Sequence, residues 1–269
     1  MDAPQQLTMT LVNGAPATGI ASLGSGSRGN GTLVAMAGSV FLVDCGFTLK
    51  DTLARLERLG LEARDLTAIL VTHEHSDHVQ GVGRLARRFG LPVYASRGTL
   101  AGARDLAGVD VRAIESSATF RIADVTIDAV GVPHDAREPT QFVFEADGRR
   151  IGVLTDLGEI PPDVAARYAG CDALLVEANH DRDMLWNGAY TYPLKRRIAS
   201  RLGHLANEQT VEFLDRAQLA RSAAVVVGHL SQENNTPARL RELLAPLISR
   251  LPRLVLADQA RGADWHPVA

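Results

Sequence analysis

The chain has 269 residues, 46% of them hydrophobic and 22% charged, with a formal net charge of −3. That length can bury a sizeable core. The slight acidity excludes a chain that binds nucleic acid through bulk positive charge, and no apolar run reaches the ~18 residues of a spanning helix. The two cysteines, Cys45 and Cys171, make no disulfide framework, and no signal-peptide pattern is visible, so a cytoplasmic protein is expected.

Residues 1–17 have little periodicity, with a turn at Asn13-Gly14-Ala15-Pro16, and are expected to form a loosely held leader ending in an edge strand. Residues 18–269 read as one domain, because no linker rich in Pro, Gly or Ser divides them. Short apolar runs at 20–23, 32–37 and 40–43 predict strands joined by tight turns. The loop from Gly24 to Gly31, Gly-Ser-Gly-Ser-Arg-Gly-Asn-Gly, has the composition of a phosphate cradle. A strand follows it rather than a helix, so a flexible hairpin or a lip over an active site is the better reading.

Leucines at helical spacing predict a helix over 49–59, stopped by Gly60. A strand over 68–71, a helix over 79–89 and a strand over 92–95 follow. Residues 109–132 hold two or three strands. Asp147-Gly148 marks a hairpin between strands at 141–145 and 151–154. Later segments predict helices at 164–168, 193–202, 208–217 and 238–248, and strands at 173–176, 225–227 and 254–256. Strands cluster early and alternate with helices later without a clean βαβ repeat. Two packed sheets with helices outside accommodate that order.

The segment Thr72-His73-Glu74-His75-Ser76-Asp77-His78 directly follows a predicted buried strand and holds three imidazoles and a carboxylate within six residues. Imidazole nitrogen and carboxylate oxygen are the donors that divalent zinc and its neighbours prefer. Alternate residues of an extended segment point the same way, which aligns His73 with His75. Asp77 and His78 then open a helix and can address a second metal. A polar surface turn is the competing reading, but burying so much polarity without a cation is costly.

This H-x-H-x-D-H pattern resembles the signature of the metallo-β-lactamase superfamily, over about residues 20–258. The resemblance implies an α+β fold of four layers, αββα, with two mixed sheets and helices outside. It implies two divalent metal ions, zinc or manganese. His73, His75 and His134 would hold one, Asp77, His78 and His229 the other, with Asp156 bridging. Asp44 would orient the histidine loop by hydrogen bonding, and Asp77 would also orient the attacking water.

The segments Glu177-Ala178-Asn179-His180 and Gly203-His204-Leu205 resemble the phosphodiesterase side of that superfamily. In tRNase Z-type enzymes a Glu-Ala-Thr glutamate orients a histidine that protonates the leaving group. Glu177 and His204 match these positions, although Asn179 replaces the threonine. Together with the Gly24–Asn30 loop and His229-Leu230-Ser231-Gln232-Glu233-Asn234-Asn235, they resemble the YycJ (WalJ) group more closely. That group is associated with exonuclease action on DNA, in the 5′ direction.

The expected activity is therefore metal-dependent hydrolysis of phosphodiester bonds, with DNA the favoured substrate and no membrane partner. A small or cyclic phosphodiester is the alternative substrate, and a non-enzymatic, metal-stabilised regulator is the remaining alternative. His180 is expected behind the ligands, and Arg28, Asn30, Lys195 and Arg196 are expected to meet substrate. Lys195, Arg196, Arg197 and Arg201 form one basic patch on a predicted helix, and Arg84, Arg87 and Arg88 another. Trp186, Tyr190 and Tyr192 either stack on a base or pack a loop. The chain is too short for the clamp domain of larger nucleases in this superfamily.

Overall fold

The structure is a computed structural model and describes residues 9, 11–12, 15–220 and 223–268. Most of the expected leader lies outside the described residues. Its β1 (Leu11–Val12) and β2 (Ala15–Pro16) form a two-stranded ribbon.

Side chains alternate across a strand, and here both faces of the central strands are buried. The first large sheet contains β3 (Gly19–Gly24), β4 (Gly31–Met36), β5 (Ser39–Val43), β6 (Ala68–Leu70), β7 (Val93–Ser96), β8 (Val111–Ile114) and, from the far end of the chain, β16 (Ala263–Pro267). Its order is β16-β3-β4-β5-β6-β7-β8, antiparallel up to β5 and parallel beyond. The second sheet contains β9 (Thr119–Ile122), β10 (Val125–Gly131), β11 (Thr140–Ala146), β12 (Arg149–Leu154), β13 (Ala173–Glu177), β14 (Ala224–Gly228) and β15 (Arg253–Leu256). It runs β15-β14-β13-β12-β11-β10-β9, parallel among β12 to β15 and antiparallel elsewhere.

Within β4, Val34 and Met36 face the space between the sheets, while Leu33 and Ala35 face outward. The inter-sheet core joins Phe41, Val43 and Leu70 to Phe142, Phe144 and Val153. The rings of Phe41 and Phe144 meet across it at 5.3 Å. Outside the first sheet, α1 (Leu49–Arg58) and α3 (Val82–Phe89) bury Leu56 and Leu85 against Leu42 and Ile69. Outside the second, α5 (Pro162–Arg167), α8 (Asn207–Arg216) and α9 (Pro237–Leu244) press Val164, Phe213 and Leu240 onto Leu174 and Val225. The result is the expected αββα arrangement. Among the described residues no helix is long and apolar enough to cross a membrane.

Three local departures from the predicted elements matter for the site. The helix expected over 79–89 is two: α2 (Ser76–Val79) and α3, parted at Gly81. Gly81 donates its N–H to Cys45 O at 2.8 Å, and a Cβ there would lie 2.1 Å from Phe47 O. This close approach interrupts the helix. The helix expected over 193–202 ends early, as α7 (Tyr192–Ile198), and His204 N bonds Ile198 O at 2.9 Å as the chain turns inward. Short helices α4 (Arg97–Gly102) and α6 (Arg182–Asn187), and strand β16, were not anticipated.

Candidate active site

The residues singled out from the sequence converge at the carboxyl ends of strands from both sheets. Asp44 follows β5, His73 to His78 follow β6, His134 follows β10, Asp156 follows β12, Glu177 ends β13 and His229 follows β14. Asp44, Asp156 and His229 all turn off their strands with left-handed backbone, at φ 63°, 55° and 54°. Asp and His tolerate that region better than most side chains, yet it is strained, and such strain persists where surrounding structure holds it.

Asp44 is buried and locks the histidine loop. It accepts from Thr72 N, Thr72 Oγ1 and His78 Nδ1, each at 2.8 Å. That leaves His78 Nε2 free to face Asp156 Oδ2 at 3.1 Å and Asp77 Oδ2 at 3.4 Å. His229 Nδ1 meets the same Asp156 oxygen at 3.0 Å. On the other flank, His134 Nδ1 donates to Gly203 O at 3.0 Å, turning Nε2 toward His75 Nδ1, 3.3 Å away. His73 rings lie 4.5 and 4.9 Å from those of His75 and His134. His73, His75 and His134 thus form one potential ligand group, and Asp156 joins His73 and His78 in another and Glu177 and His229 in a third.

The two flanks differ electrostatically. Burial, aided by the charge on His78, holds His73 well below the ordinary imidazole pKa, and burial also lowers His134. Burial opposes charge on His78 as well, but Asp156, Asp44 and Asp77 outweigh it and raise that pKa. Asp156 does the same for His229. The carboxyl of Asp156 is buried too, yet the cations of His229 and His78 hold it well below the usual carboxylate range.

Glu177 and His204, 27 positions apart, form a tight pair: Glu177 Oε1 lies 2.7 Å from His204 Nδ1. Leu157 N donates to the other carboxylate oxygen at 3.1 Å. The pair adjoins the ligand cluster, with His204 Nδ1 3.5 Å from Asp156 Oδ1. Glu177 is fully buried while the His204 side chain retains 21% exposure, so the imidazole can reach a bound molecule.

Residues 40–229 match the family described as the beta-lactamase superfamily domain. The chain belongs to the metallo-β-lactamase superfamily. It is similar to the exodeoxyribonuclease WalJ of Streptococcus pneumoniae, 37% identical over 249 residues that cover 90% of each chain. It is 35% identical to the exodeoxyribonuclease YycJ of Bacillus anthracis, over 85% of this chain and 87% of that one. Among solved structures, the metallo-β-lactamase-fold protein YhfI of Bacillus subtilis superposes with a TM-score of 0.68 at 17% identity, covering 92% of this chain and 98% of that one. A metallo-β-lactamase fold implies divalent metal, and the residues here suit one. The donors are imidazoles and carboxylates, and His73 Nε2 is buried at the cluster with no hydrogen-bond partner.

Of the remaining residues picked out for the superfamily site, Asn30 is buried and donates to Asp77 Oδ2 at 3.2 Å and Gly26 O at 3.1 Å. The Gly24–Gly31 loop is therefore fastened to the site as a lip, with Ser25 Oγ accepting from His229 N at 2.8 Å. Arg28 is exposed on it. The basic patch on α7 is largely engaged by the protein itself. Lys195 Nζ closes the end of α6, donating to Trp186 O and Gly188 O at 2.8 Å each. Arg197 pairs with Asp135, and Arg201 pairs with Glu159 at 3.2 Å. Arg196 alone of the four has neither a side-chain hydrogen bond nor an ion pair among the described residues. In the other patch Arg87 pins the 105–107 loop through Asp105. His180 is buried beside Leu205 and Ala206, with Nδ1 unpartnered.

Sequence reasoning missed two threonines. Thr72 Oγ1 lies 3.0 Å from His73 Nδ1, and Thr155 Oγ1 lies 2.8 Å from Asp156 Oδ2 and 3.3 Å from His229 Nδ1. The signal was present: each threonine immediately precedes the first ligand after its strand, in Thr72-His73 and Thr155-Asp156. Asp135 was missed as well; its Oδ1 lies 3.5 Å from His134 Nε2.

Proposed function

We propose that the protein is a metal-dependent exonuclease that hydrolyses phosphodiester bonds of DNA. The observation that carries this reading is the Glu177–His204 pair, 2.7 Å apart and set 3.5 Å from Asp156 in the ligand cluster. A hydrolase of thioesters has no task for such a pair, because a thiolate leaves without a proton. Expulsion of an alkoxide from phosphorus does, because that leaving group needs a proton, and a positioned donor is worth roughly 10²–10⁴-fold. The names of the two relatives, both exodeoxyribonucleases over most of the chain, support the same substrate.

In this reading His73, His75 and His134 would hold one cation and Asp77, His78 and His229 another, with Asp156 beside both groups. Arg28, Lys195 and Arg196 flank the route of the substrate. Bound zinc or manganese supplies Lewis acidity to the phosphoryl group and acidifies water. Asp77, steadied by Asn30, orients that water and takes its proton. Asp44 keeps the histidine loop aligned. His204, held by Glu177, delivers its proton to the departing oxygen.

The test is turnover of an end-labelled DNA duplex with Zn2+ and Mn2+ supplied separately, and Asp77→Ala as control. Mononucleotide release from the 5′ end that vanishes in the variant is expected. An intact duplex, with bis-p-nitrophenyl phosphate still hydrolysed, would move the substrate to small phosphodiesters. The internal pairing of Lys195, Arg197 and Arg201 is the observation that favours that second reading.

A further inference from the structure

A cavity of about 270 Å3 adjoins the His204 segment, lined by His180, Arg182, Trp186, Ala199, Ala206 and Gln209. One stretch of chain, His204 to Ala206, contributes a wall to both the cavity and the ligand cluster. His204 faces Asp156, while Ala206, two residues on, bridges to His180 at the cavity. Asn179 N and His180 N both donate to Leu205 O, at 3.0 and 3.4 Å, and fix that wall.

The lining has a distinct chemistry. Gln209 is committed, accepting from Ala206 N at 2.9 Å and donating to Gly158 O at 3.1 Å. Arg182 lies 3.5 Å from Glu208, so the rim carries no unbalanced charge. His180 is only 2% exposed and its Nδ1 has no partner among the described residues. Trp186 is 45% exposed, with its ring 6.2 Å from that of Tyr192, itself 66% exposed. One turn along α7 from Tyr192 stands Arg196, exposed and without an ion pair among the described residues. A planar wall, a buried nitrogen lacking a partner and a neutral rim suit a flat, uncharged, hydrogen-bonding group better than an anion.

We propose that this cavity is a nucleobase pocket: it takes the base of the nucleotide that carries the leaving oxygen, with Trp186 as its stacking wall and His180 contacting the base edge. Arg196 lies where the next phosphate of the strand would pass. The placement follows from that stretch, because His204 serves the leaving oxygen and Ala206, two residues on, lines the cavity. The assignment rests on the nuclease reading above.

The test uses oligonucleotides with a single abasic nucleotide on one or the other side of the scissile phosphate, cut by the metal-loaded protein. Wild type is expected to lose between about 5- and 150-fold in kcat/KM when the leaving-oxygen side is abasic, the range that base–aromatic stacking supports. Trp186→Ala is expected to show that loss already on the intact strand and none further on the abasic one. Trp186→Phe, which keeps a stacking ring, is expected to restore discrimination. Wild type cutting both strands equally, or Trp186→Ala discriminating as well as wild type, would overturn the pocket while leaving the nuclease reading intact. Failure of wild type to cut any oligonucleotide, with bis-p-nitrophenyl phosphate hydrolysed, would remove the nuclease reading and the pocket with it.

Discussion

Replacing Glu177 with Gln isolates the proton that His204 carries. Burial works against charge on that imidazole, but Glu177 outweighs it, with help from Asp156 and Asp77, and the pKa is pushed up from 6.5 to about 9. That displacement favours the protonated ring by about 3 kcal/mol. Gln fills the same space and its carbonyl can still accept from Leu157 N, yet it removes the carboxylate 2.7 Å from the ring. His204 then falls back toward its ordinary value, and the protonated form is depleted at neutral pH. Cleavage of DNA, which expels an alkoxide, should slow by about 10²-fold or more. Hydrolysis of bis-p-nitrophenyl phosphate, whose leaving group needs no proton, should change only a few-fold, and metal content should hold. The assay is kcat for both substrates beside metal analysis of each protein. Equal losses on the two substrates would refute the proton-donor role, and a fall in metal content would make Glu177 a ligand instead. The same shift has a stability signature in chelator-stripped protein. A raised folded-state pKa stabilises fully below pH 6.5 and loses that contribution as pH rises through about 9. The stability gap between wild type and Glu177→Gln in urea should therefore close across that window.

Asp77→Ala should abolish hydrolysis and lower the bound metal content, and turnover at the wild-type level would sink the ligand assignment. Asp44→Ala strips three 2.8 Å hydrogen bonds from Thr72 and His78, so metal affinity in a chelator competition should fall about 10- to 100-fold. Gly46→Ala would place a Cβ 1.8 Å from Asp77 O, and the backbone must shift; a destabilisation of about 1–3 kcal/mol with loss of activity is expected, and an unaltered melt would contradict the packing. His78 and His229 are raised in pKa and must be neutral to ligate, so metal binding should release protons and weaken in acid. Calorimetry in buffers of different ionisation enthalpy reads that release directly.

The layers were legible because apolar runs such as 40–43 and 68–71 are short, continuous and bounded by turns, as strands buried on both faces must be. The candidates in 73–78 stood out by their own spacing, while His134, Asp156 and His229 came from the superfamily resemblance, each of them following a strand. What was not legible depends on partners distant in sequence. The break at Gly81 comes from Phe47 and Cys45, and the early end of α7 from the return of His204 toward Glu177. β16 finds its place only through β3, at the opposite end of the chain. The patch Lys195-Arg196-Arg197-Arg201 looked free because Asp135 and Glu159, which engage two of its members, lie 62 and 42 positions away.

The division of donors between the sheets has a consequence for assembly. The first sheet, apart from β16, is built from residues before the turn at 115–118, and it carries His73, His75, Asp77 and His78. The second is built from residues after that turn, and it brings His134, Asp156 and His229. In the proposed assignment each cation draws donors from both halves, so its full complement would assemble only after the two sheets have docked along the Phe41–Phe144 seam. Metal then acts as a rivet across that seam, with β16 as a covalently tethered clasp reaching back from the second half. A chain cut within the turn at 115–118 would leave two fragments with complementary fractions of one centre, whose reunion the cation itself would drive.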